Sequence, residues 1–127
     1  MIHGLKFAED PPAGRPSDDS LCAIRKRTAS DPQPEEERII RFLQAGIDIA
    51  ASACFRDLIK GSDVEAVVFM TDGEWVWTNA LLYYVRNYHW RVEPEFVEHM
   101  RARQWHVPAR DDVDLKAVIA RYRGSRA

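Results

Sequence analysis

The stretch that decides the fold is Ala66 to Trp77, AVVFMTDGEWVW. An apolar run meets Asp72-Gly73, and an aromatic run follows at once. Asp-Gly between two such runs signals a hairpin. Both central positions of a type I′ turn take positive φ, which Gly adopts freely and Asp tolerates. With those two residues as the loop, Thr71 faces Glu74, Met70 faces Trp75, Phe69 faces Val76 and Val68 faces Trp77. Side chains alternate along a strand. Val68, Met70, Trp75 and Trp77 therefore share one face, and Phe69 and Val76 the other.

Upstream, Ile47 to Phe55, IDIAASACF, alternates apolar and smaller residues and reads as a third strand. Its alanines argue for helix instead, but a helix running from 35 to 60 would place Gly46 in its interior at a cost of about 1 kcal/mol. A lone hairpin is marginal in water, so the strand is preferred. Residues 56–65 then form a connecting loop, with Gly61-Ser62-Asp63 as its turn. Before the strand, a helix begins near Pro34, with Asp31 or Gln33 as cap and Glu35, Glu36 and Glu37 against its positive end. Ile39, Ile40, Phe42 and Leu43 form its apolar stripe, and Gly46 suits a left-handed cap.

Downstream, Thr78 or Asn79 caps a helix reaching Tyr88, with Leu81, Tyr84, Val85 and Tyr88 on one face. Glu93-Pro94-Glu95 starts another, burying Phe96, Val97 and Met100. Asp111 or Asp112 caps a last helix carrying Leu115, Val118, Ile119 and Tyr122, and Gly124 stops it. The expected fold class is α+β: a small antiparallel sheet of about three strands packed with about four helices.

Residues 1–34 hold five of the seven prolines and little periodic apolar content, so they read as a flexible or irregular leader to a single domain over 35–127. Ile2, Leu5 and Phe7, and the run Leu21 to Ile24, are its points of contact. Charge is uneven: residues 35–100 carry six basic and twelve acidic groups, and 101–127 carry seven basic and three acidic. A net charge of −2 argues against a nucleic-acid binder, for which phosphate neutralisation dominates affinity. Two cysteines are too few for a disulfide framework, and Cys54 in its apolar run reads as an inert buried thiol. No run reaches the ~18 apolar residues of a membrane span. Charge and proline interrupt Met1–Ala29, so no signal-peptide pattern is read there and the expected compartment is the cytoplasm.

Chemistry-bearing motifs are sparse. Asp72, Glu74, His89, Glu95 and His99 are the acid–base candidates, and Ser52, Cys54 and Ser62 the nucleophile candidates. None sits in a nucleophile elbow. Glu95 and His99 lie one helical turn apart without a second histidine in ligand spacing, so neither metal nor cofactor is expected. Nine of the thirteen aromatics fall between Phe69 and Trp105, more than a small core needs, so at least one ring is expected at the surface. Tyr83 and Trp90 miss the helical stripe and are the first choices.

The stretches TDGEWVWTNALLYYVRNYH, Thr71 to His89, and EPEFVEHMRARQW, Glu93 to Trp105, resemble a pattern in small bacterial proteins that have no assigned activity. These pair an Asp-Gly-x-Trp-x-Trp hairpin with a tyrosine-bearing helix. The resemblance covers a quarter to a third of the chain. It implies the hairpin-helix unit and a bacterial source, and transfers no catalytic residue.

The leading functional expectation is a non-enzymatic, cytoplasmic protein-binding domain of immunity or regulatory type, binding a partner or its own copy. Its contact residues are Trp75, Trp77, Tyr83, Tyr84, His89 and Trp90. The alternative is a small enzyme or ligand-binding domain, with a pocket between sheet and helices lined by Trp75, Trp77, Tyr84 and His89. The third, a nucleic-acid factor, would use Arg101, Arg103, Arg110, Lys116, Arg121 and Arg123.

Overall fold

A computed structural model describes residues 5–12 and 17–126. The elements in chain order are β1 (Lys6–Phe7), α1 (Asp18–Arg27), α2 (Glu36–Gln44), β2 (Ile47–Asp57), β3 (Ser62–Thr71), β4 (Trp75–Thr78), α3 (Asn79–Tyr88), α4 (Pro94–Ala102), a 3₁₀ turn (Arg110–Asp112) and α5 (Leu115–Arg126). The fold is α+β, as expected, with four strands rather than three, in the order β1-β4-β3-β2. β2, β3 and β4 run antiparallel, whereas β1 pairs parallel to β4. Residues 47–55 are strand. Tertiary pairing with β3 outweighs the helical leaning of their alanines.

The hairpin forms where Asp-Gly predicts it, but in another register. Thr71 pairs with Val76, Met70 with Trp77 and Phe69 with Thr78. The side chains of Thr71 and Asp72 widen the turn. Thr71 Oγ1 donates to the Trp75 carbonyl at 2.7 Å and accepts the Gly73 N–H at 2.9 Å. Asp72 Oδ1 accepts the N–H groups of Glu74 and Trp75, both at 2.9 Å. Of the two central residues only Gly73 has positive φ, +103°. The slip is by two residues, so Met70, Trp75 and Trp77 keep a common face. A slip of one would have turned both indoles to the other side.

The segment read as an irregular leader carries two elements, and residues 1–4 and 13–16 of it lie outside the described residues. α1 has few apolar residues, but Ser17 and Ser20 close a capping box, and Ile24 enters the core fully buried. Arg27 then fastens the helix end by donating from Nε and Nη2 to the Arg91 carbonyl at 2.9 and 2.7 Å. β1 is held by Lys6 N–H to the Glu74 carbonyl, 3.0 Å, and Ala8 N–H to the Val76 carbonyl, 2.9 Å.

α3 and α4 begin after Thr78 and Glu93, with Pro94 in the first helical turn, as their sequences indicate. Three other boundaries differ. α2 follows Glu35, itself at φ 60°, instead of a capping Asp31 or Gln33. α5 is capped by Asp114, whose Oδ1 accepts the Ala117 N–H at 3.1 Å, and it runs through Gly124 to Arg126. Gly46 lies outside the left-handed region; packing is what requires it. A Cβ there would meet Trp77 Cζ2 at 2.5 Å and Met70 Cβ at 2.9 Å. Trp77 is fixed above it, fully buried, with Nε1 donating to the Leu43 carbonyl at 2.9 Å. Gly46→Ala is therefore expected to cost about 1–3 kcal/mol by overpacking, read as a lower urea midpoint with an unchanged m-value.

Candidate functional site

The widened turn aims Asp72 inward. With Oδ1 committed to two backbone N–H groups, Oδ2 lies 2.5 Å from His99 Nε2 on α4. With the carboxylate ionised, that ring nitrogen carries the proton and donates it. Arg103 Nε is 3.9 Å from the same oxygen. The Asp72 side chain is fully buried. Burial alone would raise its pKa, but the His99 hydrogen bond and the two backbone N–H groups outweigh it and hold the carboxyl below its ordinary range. On its other side, His99 Nδ1 is 3.7 Å from Glu74 Oε2, and Arg103 Nη1 is 2.7 Å from Glu74 Oε1. Trp75 closes the floor. Its indole stacks on Phe96 with centroids 4.6 Å apart and planes at 9°, and His99 lies 5.8 Å from it.

Above this floor opens a cleft of about 920 Å³ between the turn, α4 and α5. Its walls include six carboxylates, Asp72, Glu74, Glu95, Glu98, Asp112 and Asp114. Against them stand three cations, Lys6, Arg103 and Arg121, and the His99 ring. Val113 and Val118 supply apolar wall.

The contact residues named from the sequence do not gather in one place. Trp75 lines this cleft. Trp77, Tyr84 and Trp90 are buried in the core at 0, 1 and 2% exposure. The expectation of Trp90 as a surface ring is thus corrected. After the left-handed turn at His89 the chain folds back, and Trp90 packs on Tyr84 at 5.9 Å under the Arg27 guanidinium. Among the described residues the exposed aromatic ring is Phe7, at 43%. Tyr83 is half-buried and donates to Asp57 Oδ2 at 2.6 Å. His89 Nδ1 lies 2.7 Å from Glu36 Oε2. Tyr84 instead borders a smaller hollow of about 260 Å³ with Asp10, Arg56 and Thr78.

Cys54 is exposed, contrary to its apolar neighbourhood, because residues 51–54 of β2 are left open to solvent. Glu95 and His99 face different partners, Lys6 and Asp72. Among the described residues no group of three or more His, Cys, Asp or Glu is placed to hold a metal ion, and no helix is long and apolar enough to cross a membrane. Two of the arginines of the nucleic-acid reading are drawn into acidic pairs: Arg101 with Glu35 at 2.8 Å and with Glu98, and Arg103 with Glu74.

No protein-family model matches the chain, and no curated protein or solved structure matches it either.

Proposed function

We propose that this is a cytoplasmic bacterial protein that acts by binding another protein, in an immunity-type or regulatory role, and that its cleft receives a basic segment of that partner. The observation that carries this reading is the cleft's composition: six carboxylates against three cations around about 920 Å³. Opposite charge across an interface steers encounter and selects partners. The concave shape lets a side chain lose water on entry, where a charge pair gains most.

The test uses an oligolysine peptide titrated by calorimetry, with its Nε-acetylated form as the uncharged control. Glu98→Gln combined with Asp112→Asn is expected to weaken the peptide about fivefold. Glu37→Gln with Asp48→Asn removes equal charge outside the cleft and is expected to leave affinity within about twofold. Equal affinity of the two double variants overturns the reading.

One observation favours a ligand-binding or enzymatic second reading: the His99 imidazole held by Asp72 at the cleft floor, an arrangement suited to a general base. That reading predicts a pH-dependent small-molecule affinity or turnover that His99→Gln abolishes while peptide capture at the rim persists.

A further inference from the structure

The mouth of the cleft already contains a cation. Lys6 pairs with Trp75 across the parallel β1-β4 ladder, so the two side chains lie beside each other. Its Nζ stands 5.7 Å from the Trp75 ring centroid and 2.7 Å from Glu95 Oε1. Phe96 covers one face of the indole, and Lys6 sits over the ring at the cleft. A ring face and a carboxylate closing on one ammonium is the chemistry of a cation subsite. Yet the Lys6 and Glu95 side chains are 58% and 68% exposed. A pair so open to water is weak and easily exchanged.

We propose that Trp75 and Glu95 form a subsite for the ammonium or guanidinium of a partner's Lys or Arg side chain, and that Lys6 fills it in the free chain. The inference rests on the reading of the cleft as a receptor for a basic segment. An incoming side chain displaces Lys6, and Lys6 sets how much affinity the partner realises.

Peptide titrations of the full chain test this. Lys6→Ala is expected to bind oligolysine about three- to tenfold more tightly than the unaltered chain, since the competing cation is gone. Lys60→Ala changes net charge equally at the β2–β3 turn and is expected to stay within about twofold. Adding Glu95→Gln to Lys6→Ala is expected to remove the gain. Equal tightening by Lys6→Ala and Lys60→Ala overturns the subsite while leaving the cleft reading intact. An unaltered chain that fails to prefer oligolysine over the acetylated peptide overturns the cleft reading, and this inference with it.

Discussion

Asp57→Ala is expected to lower the unfolding free energy by about 3 kcal/mol, on the scale of about 1–3 kcal/mol for each buried polar group left unpaired. Asp57 is fully buried where β2 ends. Oδ1 accepts the N–H groups of Ile59 and Lys60 at 2.9 and 2.8 Å. Oδ2 accepts the Tyr83 and Tyr88 hydroxyls at 2.6 and 2.5 Å. One carboxylate thus turns the chain into β3 and ties that turn to α3. Both tyrosines and Lys60 retain contact with water, so the loss is smaller than four complete hydrogen bonds. Asp57→Asn keeps an oxygen for the turn and offers Nδ2 to hydroxyls that can rotate to accept it, so it should cost about 1 kcal/mol. The Tyr83 hydroxyl gives a second readout. Its hydrogen bond to Asp57, then burial, push its pKa up to about 12. For Tyr88 burial acts first and the same carboxylate second, also upward. Ultraviolet titration of Asp57→Asn should find Tyr83 ionising nearer its ordinary value of about 10.

What the sequence reveals follows from what is encoded locally. The hairpin, β2, α3 and α4 rest on short-range signals, alternation, Asp-Gly, Thr78 and Glu93-Pro94, and the structure contains each of them. The turn register is not local in that sense. It depends on Thr71 and Asp72 using their side chains as extra acceptors, which composition does not distinguish from a two-residue loop. β1 is two residues of parallel pairing and has no periodic signature. α1 buries little beyond Ile24, and its capping box uses Ser20 where the familiar pattern has Glu or Gln. The candidate site was half visible. Asp72, Glu74 and His99 are among the acid–base candidates, and the fold brings them together. Twenty-seven residues separate Asp72 from His99, and only the packing of α4 against the turn closes that gap. The aromatic contact residues lie apart for a physical reason. Trp77, Tyr84 and Trp90 each find a neighbouring ring or backbone acceptor inside, so their abundance reflects the core of a short chain.

Asp72→Ala is expected to be the most damaging single change at the cleft, costing about 3–5 kcal/mol, in the range for removing one partner from a buried charged cluster. Both of its oxygens are committed to partners. Without Oδ1 the N–H groups of Glu74 and Trp75 lose their acceptor, and the Trp75 N–H is buried. Without Oδ2 the His99 ring loses the group that orients it, and Arg103 keeps only its Glu74 partner. Asp72→Asn separates the roles. Its oxygen still serves the turn, while the charge beside His99 is gone. The pH profile of stability then distinguishes charge from shape. The folded pKa values of Asp57 and Asp72 both lie below the unfolded value. In each case burial resists ionisation and the donated hydrogen bonds outweigh it. The stability they contribute is present above about pH 3.9, the unfolded value, and is lost as pH falls through the lower folded value. Urea midpoints of the unaltered chain should therefore drop steeply below about pH 4. Asp72→Asn should begin lower at neutral pH and show a shallower acid limb. If the limb keeps its full slope, the ionised carboxylate of Asp72 contributes nothing to holding α4 on the turn.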